Sequence, residues 1–492
     1  MTIRDLLDTA VREGPDRVYQ NVKRGGVWQQ RTFGAFGERV RRAAEAVAAL
    51  GVGAGDKVAL WMENGPEWVE IYCALAGCGI TAVPIDPKLK PRETAFILSD
   101  SGAAAIFASR TLAPALREVR SSLPALRHVV LAGGGEAAPA EADCADYETL
   151  LAAAAAAADG PGACWLKRRP EPDTVASLIY TSGTTGKPKG AILTHGNFTA
   201  DGINSLQLMR IDPEDNFFIV LPLFHSFSFQ ANLIVPLLRQ CRVTFADSLR
   251  TIADDMRATA PSVLCAVPLL VEKLHGRVFG KLRANAVARL LLKLGLGRLL
   301  HDKVNAAFGG RLRLIISGGA PCPVGVLLDF RAIGFGVVEG YGLTETSPVV
   351  SLTDIGDFLP GTVGRPIPGI EVRIADPDAQ GVGELLVRGP IVMRGYYHNP
   401  EATAEAISPD GWLRTGDLAS LGPSGHLTIR GRKKALIVNR EGKNIYPEEV
   451  EQAIARSPLI HDVIVIGYHD AGDVGEKVGA IMVPEPDAVK AA

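Results

Sequence analysis

Arg39-Val-Arg-Arg-Ala-Ala-Glu-Ala-Val-Ala-Ala-Leu50 repeats its apolar residues at helical spacing, and the glycine-rich turn after it leads into Lys57-Val-Ala-Leu-Trp61, a short apolar run of strand character. Helix, turn and buried strand in succession form the unit of an α/β fold. The unit returns at Trp68 to Cys78 followed by Ile80-Thr-Ala-Val-Pro-Ile85, and again near Ala103-Ala-Ala-Ile-Phe107 and His128-Val-Val-Leu131. These runs predict parallel strands joined by crossover helices. Between Gly133 and Pro172 the chain turns to Ala, Gly, Pro and acids, which predicts a surface excursion with a short helix around Ala152 to Ala158.

A chain of 492 residues exceeds one ordinary domain, so two or more packed units are expected. Its 47% hydrophobic and 22% charged residues lie far from the disordered regime. A formal net charge of -2 argues against wholesale nucleic-acid binding, so any anion recognition must be local. The seven cysteines are odd in number and contain no C-x-x-C pair, which predicts neither a disulfide framework nor a zinc site. Without a leader pattern at Met1 or an apolar run of about 18 residues, the expected location is cytoplasmic.

The sharpest motif is Tyr180-Thr-Ser-Gly-Thr-Thr-Gly-Lys-Pro-Lys-Gly190, after the strand-like Ala176-Ser-Leu-Ile179. Glycines let backbone approach a ligand, Ser and Thr hydroxyls donate, and lysines add charge, so the loop suits phosphate oxygens. It is not a Walker A loop, because Pro188 follows Lys187 where Ser or Thr would hold magnesium. A second cluster, Gly340-Tyr-Gly-Leu-Thr-Glu-Thr-Ser-Pro348, groups a ring for purine stacking, a hydroxyl and a carboxylate able to ligate Mg²⁺; a simple turn is the alternative. Upstream, Ile316-Ser-Gly-Gly-Ala-Pro321 ends a buried strand in residues small enough for a planar base to lie against, or forms a plain tight turn. In Gly411-Trp-Leu-Arg-Thr-Gly-Asp417, Asp417 can accept from both hydroxyls of a ribose, with Arg432 reaching the same sugar; a surface ion pair between the two is the other reading.

Together these segments resemble the adenylate-forming superfamily of acyl-CoA synthetases, luciferases and peptide-synthetase adenylation domains, over nearly the whole chain. The resemblance implies a large N-terminal region of layered α/β subdomains with a β-barrel-like part, over residues 1–431, and a small, truncated α+β C-terminal lid over 432–492. It places Thr181, Ser182, Gly183, Thr184, Thr185, Gly186, Lys187 and Lys189 in the ATP-phosphate loop. Tyr341 takes the adenine-stacking role, Thr344 the phosphate contact and Glu345 the magnesium ligand. Gly318, Gly319 and Ala320 form the far side of the adenine pocket, Asp417 and Arg432 the ribose contacts, and Lys434 the hinge of the lid. In Leu221-Pro-Leu-Phe-His-Ser-Phe-Ser228, which resembles the border of the acid tunnel, His225 takes the gating position, while Phe224, Phe227, Phe229 and Leu233 are expected to line the tunnel.

The implied activity is ATP-dependent activation of a carboxylic acid, a medium- or long-chain fatty acid by the look of Asp410 to Leu418, to an acyl-adenylate and then a coenzyme A thioester. Two alternatives stay open. Arg440 and Glu441 replace small residues near the thiol channel, which would suit an acyl-AMP ligase loading a carrier protein. The family's C-terminal lysine in a Gly-Lys context has no match here, which would suit an incomplete lid or a non-catalytic binder. Finally, Glu272 to Lys303 carries eight cations, Lys273, Arg277, Lys281, Arg283, Arg289, Lys293, Arg298 and Lys303, against two acids, with leucines among them. It reads as a solvated helix face or as a peripheral contact with anionic lipid at the inner membrane face.

Overall fold

The computed structural model describes residues 1–133, 144–156, 163–181, 187–438, 444–455, 457, 459–468 and 476–491. Ser182, Gly183, Thr184, Thr185 and Gly186 lie outside the described residues, as do Arg440 and Glu441.

Two sheets carry the body. In the seven-stranded one the order is 145–146, 128–132, 105–109, 57–61, 81–85, 175–181 and 189–194, parallel throughout except for the last strand. The apolar runs read from sequence are these strands: Lys57–Trp61, Thr81–Ile85, Ala105–Ser109 and His128–Ala132. Thr81–Ile85 and Ala105–Ser109 are buried at every residue, as expected for parallel strands covered on both faces. The nine-stranded sheet has a parallel centre of 18–24, 242–245, 216–219, 263–266, 314–318 and 336–342, with antiparallel edges at 27–32, 349–352 and 365–366.

One hydrophobic core joins the sheets, with Leu60 and Phe107 of one and Phe217, Val243 and Val338 of the other. The helix Pro66–Gly77 contributes to it and is buried along its whole length. A second core, with Leu274, Leu327 and Phe330, covers the outer face of the nine-stranded sheet, and a third, with Trp61, Ile97 and Leu116, that of the seven-stranded sheet. Helices and sheets thus alternate in layers.

The expected barrel-like part is an open antiparallel sheet of four strands, Glu371–Ala375, Gly383–Arg388, Leu413–Leu421 and Leu427–Arg432. Four strands are too few to close around a packed interior, which takes about eight. Residues 268–305 form no continuous helix. Asn285, whose side chain accepts from Ala288 N at 3.0 Å, ends Pro268–Ala284 and caps Ala286–Lys293, and Gly295 at φ +70° stops the second helix before His301–Asn305. After Arg432 come the helix Pro447–Ile454 and the antiparallel hairpin Ile460–Tyr468 and Lys477–Pro484.

Candidate active site

Strands 175–181, 314–318 and 336–342 all end at one cavity of about 890 Å³, the place where open α/β sheets present their ligand sites. Antiparallel pairing of Thr181 with Lys189 sets the two ends of the phosphate-loop motif side by side, and both line the cavity. Lys187 is exposed at the loop's end and outside the lining.

On the facing sheet, Gly318 lets the ring of Phe227 lie against the backbone, since a Cβ there would sit 3.2 Å from Phe227 Cζ. Gly319 adopts φ +86°, a conformation that favours glycine. Both line the cavity, whereas Ala320 turns away, exposed. Tyr341 Oη donates to Asp417 Oδ2 at 2.6 Å, and Arg432 Nε stands 2.9 Å from Asp417 Oδ1. Burial raises the Asp417 pKa, and the Tyr341 hydroxyl and the Arg432 guanidinium pull it back toward the charged form. The pairing read from sequence as a ribose site or an ion pair is an ion pair at the cavity edge.

Thr344 Oγ1 lies 3.2 Å from Ser226 Oγ, joining the second motif to the segment that carries His225. His225 lines the cavity and keeps part of its surface exposed, with Nδ1 accepting from Phe227 N at 3.4 Å; partial burial lowers its pKa. Phe224 and Phe227 line the cavity as expected. Phe229 and Leu233 do not: Phe229 packs on Tyr72 at 4.6 Å between ring centroids, and Leu233 is fully buried in the core. The helical turn after His225 aims these two inward, away from the cavity. Lys434, exposed, lines the mouth.

Tyr396 was missed by sequence reasoning. Its hydroxyl donates to Glu345 Oε1 at 2.8 Å, and Lys189 Nζ lies over its ring at 5.3 Å. The side chain therefore ties the loop lysine to the carboxylate, and only the pair Tyr396-Tyr397 after Gly395 hinted at it. Glu345 Oε2 has no protein hydrogen bond among the described residues, and Glu345 lines the cavity together with Lys189, so its carboxylate is a ligand that fits a hard divalent cation. Behind this wall, Glu339 Oε1 accepts from Cys322 N at 2.8 Å, and burial raises its pKa to about 7.

Residues 7–397 match the AMP-binding enzyme family. The chain belongs to that family. Among relatives, the long-chain-fatty-acid–CoA ligase FadD15 of Mycobacterium tuberculosis is 33% identical over 513 residues, covering 97% of this chain and 81% of that protein. Long chain acyl-CoA synthetase 7, peroxisomal, of Arabidopsis thaliana is 30% identical over 495 residues, covering 94% and 70%. ATP-bound MatB from Rhodopseudomonas palustris superposes with a TM-score of 0.80 at 26% identity, over 99% of this chain and 89% of that one. A Mycobacterium tuberculosis fatty acyl CoA synthetase does so with a TM-score of 0.73 at 25% identity, over 99% and 89%. This AMP-binding enzyme is an acid-thiol ligase of the AMP-forming type, whose substrates are an acid, ATP and coenzyme A.

Proposed function

We propose that this ligase activates a medium- or long-chain fatty acid to an acyl-adenylate and then to an acyl-CoA. The observation that supports this most is the continuity of one cavity, in which Thr181, Lys189, Thr344 and Glu345 share walls with Met209, Phe217, Ala231 and Val235. A polar end suited to triphosphate thus opens onto an apolar end suited to an acyl chain. The relatives' names point to the same substrate class.

In this reading the acid's carboxylate oxygen bonds to the α-phosphorus as pyrophosphate leaves, and a thiol then displaces AMP from the acyl carbon. Both reactants of the first step are anionic, so charge control dominates. Lys189, with Lys187 and the hydroxyls of Thr181, Ser182, Thr184, Thr185 and Thr344, would neutralise and align phosphate oxygens, with Gly183 and Gly186 allowing close backbone approach. Tyr341 would stack on adenine against Gly318 and Gly319, Asp417 and Arg432 would hold the ribose, and His225 would gate the acid. Mg²⁺, held by Glu345, would supply charge neutralisation at the phosphates. The body would end at residue 431, with Lys434 the hinge of a lid over 432–492.

No helix of the described residues is long and apolar enough to cross a membrane. Lipid contact would come through 272–303, where Val287 is 67%, Leu290 55%, Leu294 62% and Leu299 70% exposed among Lys281, Arg289, Lys293 and Arg298. Aliphatic side chains ringed by cations complement an anionic bilayer surface, each cation adding about 1 kcal/mol. Cosedimentation should occur with phosphatidylglycerol vesicles, weaken with Leu290→Ser and Leu294→Ser, and be small with neutral phosphatidylcholine. Equal recovery with both lipids would sink the idea.

The test of the activity is acid-dependent exchange of pyrophosphate into ATP across fatty acids of two to eighteen carbons, followed by detection of acyl-CoA. Exchange that peaks beyond about eight carbons supports the reading; exchange confined to acetate or aryl acids overturns it.

A further inference from the structure

The apolar end of the cavity has a depth that strand register fixes. Asn216–Ile219 runs parallel to Val263–Ala266, which runs parallel to Leu314–Gly318, so all three point their carboxyl ends toward the phosphate side. Phe217 stands opposite Val263, and Val263 opposite Leu314, which places Phe217 four residues below Gly318. At a strand rise of about 3.3 Å per residue the step is about 13 Å. Both Gly318 and Phe217 line the cavity.

The helical turns facing the sheet give the same depth. Asn216–Ile219 and Arg242–Phe245 are parallel, so the chain between them must return from carboxyl ends to amino ends. On that return Phe227 lies against Gly318, and Ala231 and Val235 follow it along the cavity wall. Val235 is eight residues beyond Phe227, about 12 Å at helical rise. At this level the chain from 206 to 212 leaves the helix His195–Ser205 and leads to the start of Asn216–Ile219. It is tied to the returning turns, since Arg239 Nε donates to Ile211 O at 2.8 Å and Cys241 Sγ to Asp212 O at 3.2 Å. Met209 of this segment lines the cavity and is 7% exposed, between the exposed residues Gln207 and Arg210. A flexible thioether chain thus stands between the deep end of the cavity and the outside.

We infer that Met209 and Val235 close the acid tunnel and set the acyl length it accepts, at about ten to twelve carbons. With C–C bonds of about 1.5 Å, each carbon of an extended chain advances about 1.3 Å, so about ten carbons fit between the levels of Gly318 and Phe217. The inference rests on the acid-activating reading above and narrows its substrate class to medium-chain acids. A longer chain must displace packed side chains at the floor, which costs more than its extra methylenes gain.

The experiment is acid-dependent pyrophosphate exchange with straight-chain acids of eight to eighteen carbons, read as kcat/KM ratios within each variant so that the yield of folded protein cancels. The parent should peak at about ten to twelve carbons and fall about tenfold or more by sixteen. Met209→Ala opens the floor and should raise the ratio of hexadecanoic to octanoic acid about tenfold. Val235→Phe fills the floor and should lower the ratio of dodecanoic to octanoic acid by a similar factor. A parent optimum at sixteen or eighteen carbons, or ratios in both variants equal to the parent's, would overturn the inference. Either result leaves the acid-activating reading intact, whereas absence of exchange with every acid defeats both.

Discussion

In the body of the molecule the strand Thr81–Ile85 is buried at every residue, whereas in the C-terminal hairpin Ile464 is 53% and Ile481 58% exposed. The same aliphatic side chains are locked between layers in one region and open to solvent in the other. The connections between the regions are polar as well: Arg430 to Glu449 at 3.1 Å, Lys433 to Glu384 at 2.9 Å, and Arg432 N to Glu448 Oε1 at 3.3 Å. Apolar packing fixes geometry and is lost all at once; exposed ion pairs are worth little each and re-form easily. The described residues proposed to align phosphates, Thr181, Lys189 and Thr344, therefore sit on the packed region, and the segment proposed as a moving lid is attached by contacts that can be exchanged.

The largest expected effect tests the packed side. Glu345→Ala removes the carboxylate proposed to hold the metal, and acid-dependent pyrophosphate exchange should fall by about a hundredfold or more, with the melting temperature almost unchanged. A tenfold loss or less would mean that alignment in the body does not depend on this residue.

Next in size is a pH effect in the wall behind the site. The carboxyl of Glu339, raised by burial from 4.5 to about 7, is favoured neutral in the folded chain. Stability tied to it is complete below about pH 4.5 and is lost as pH rises through about 7, a difference of about 3 kcal/mol. Glu339→Gln keeps an acceptor for Cys322 N and cannot ionise. Urea unfolding should show the variant more stable than the parent at pH 8 and level with it at pH 5; parallel profiles would refute the assignment.

A smaller loss, about tenfold in kcat, is expected for Tyr396→Phe, which leaves Glu345 Oε1 unpaired and keeps the ring beneath Lys189. Tyr396→Leu removes the ring as well and should lower exchange further. If the two variants behave alike, the hydroxyl alone matters and the cation–π contact is incidental.

Legibility in the sequence followed the same division. Strands such as Lys57–Trp61 could be read because double burial leaves a continuous apolar run, and the glycine and hydroxyl motifs because ligand-facing loops restrict residue type. Sheet order could not be read, since 18–24 pairs with 242–245 across more than two hundred residues and nothing local encodes the partner. Tyr396 was hidden for the same reason, standing 51 residues from Glu345. Phe229 and Leu233 were assigned to the tunnel because period alone does not say which face of a short helical turn meets a cavity and which meets the core.

The smallest expected effect bears on the polar side of the comparison. Arg430 is 39% and Glu449 50% exposed, so Arg430→Ala should cost less than about 1 kcal/mol of global stability. The body has its own cores and would not register the loss. Amides of Pro447–Ile454 should nevertheless exchange hydrogen faster in the variant, because Glu449 lies in that helix and the opening that exposes them is a local one. Amides of Leu314–Gly318 should keep the parent rate. If both sets of amides accelerate together, the C-terminal segment unfolds with the body as one cooperative unit, and the contrast between a packed platform and a loosely held lid fails at its weaker end.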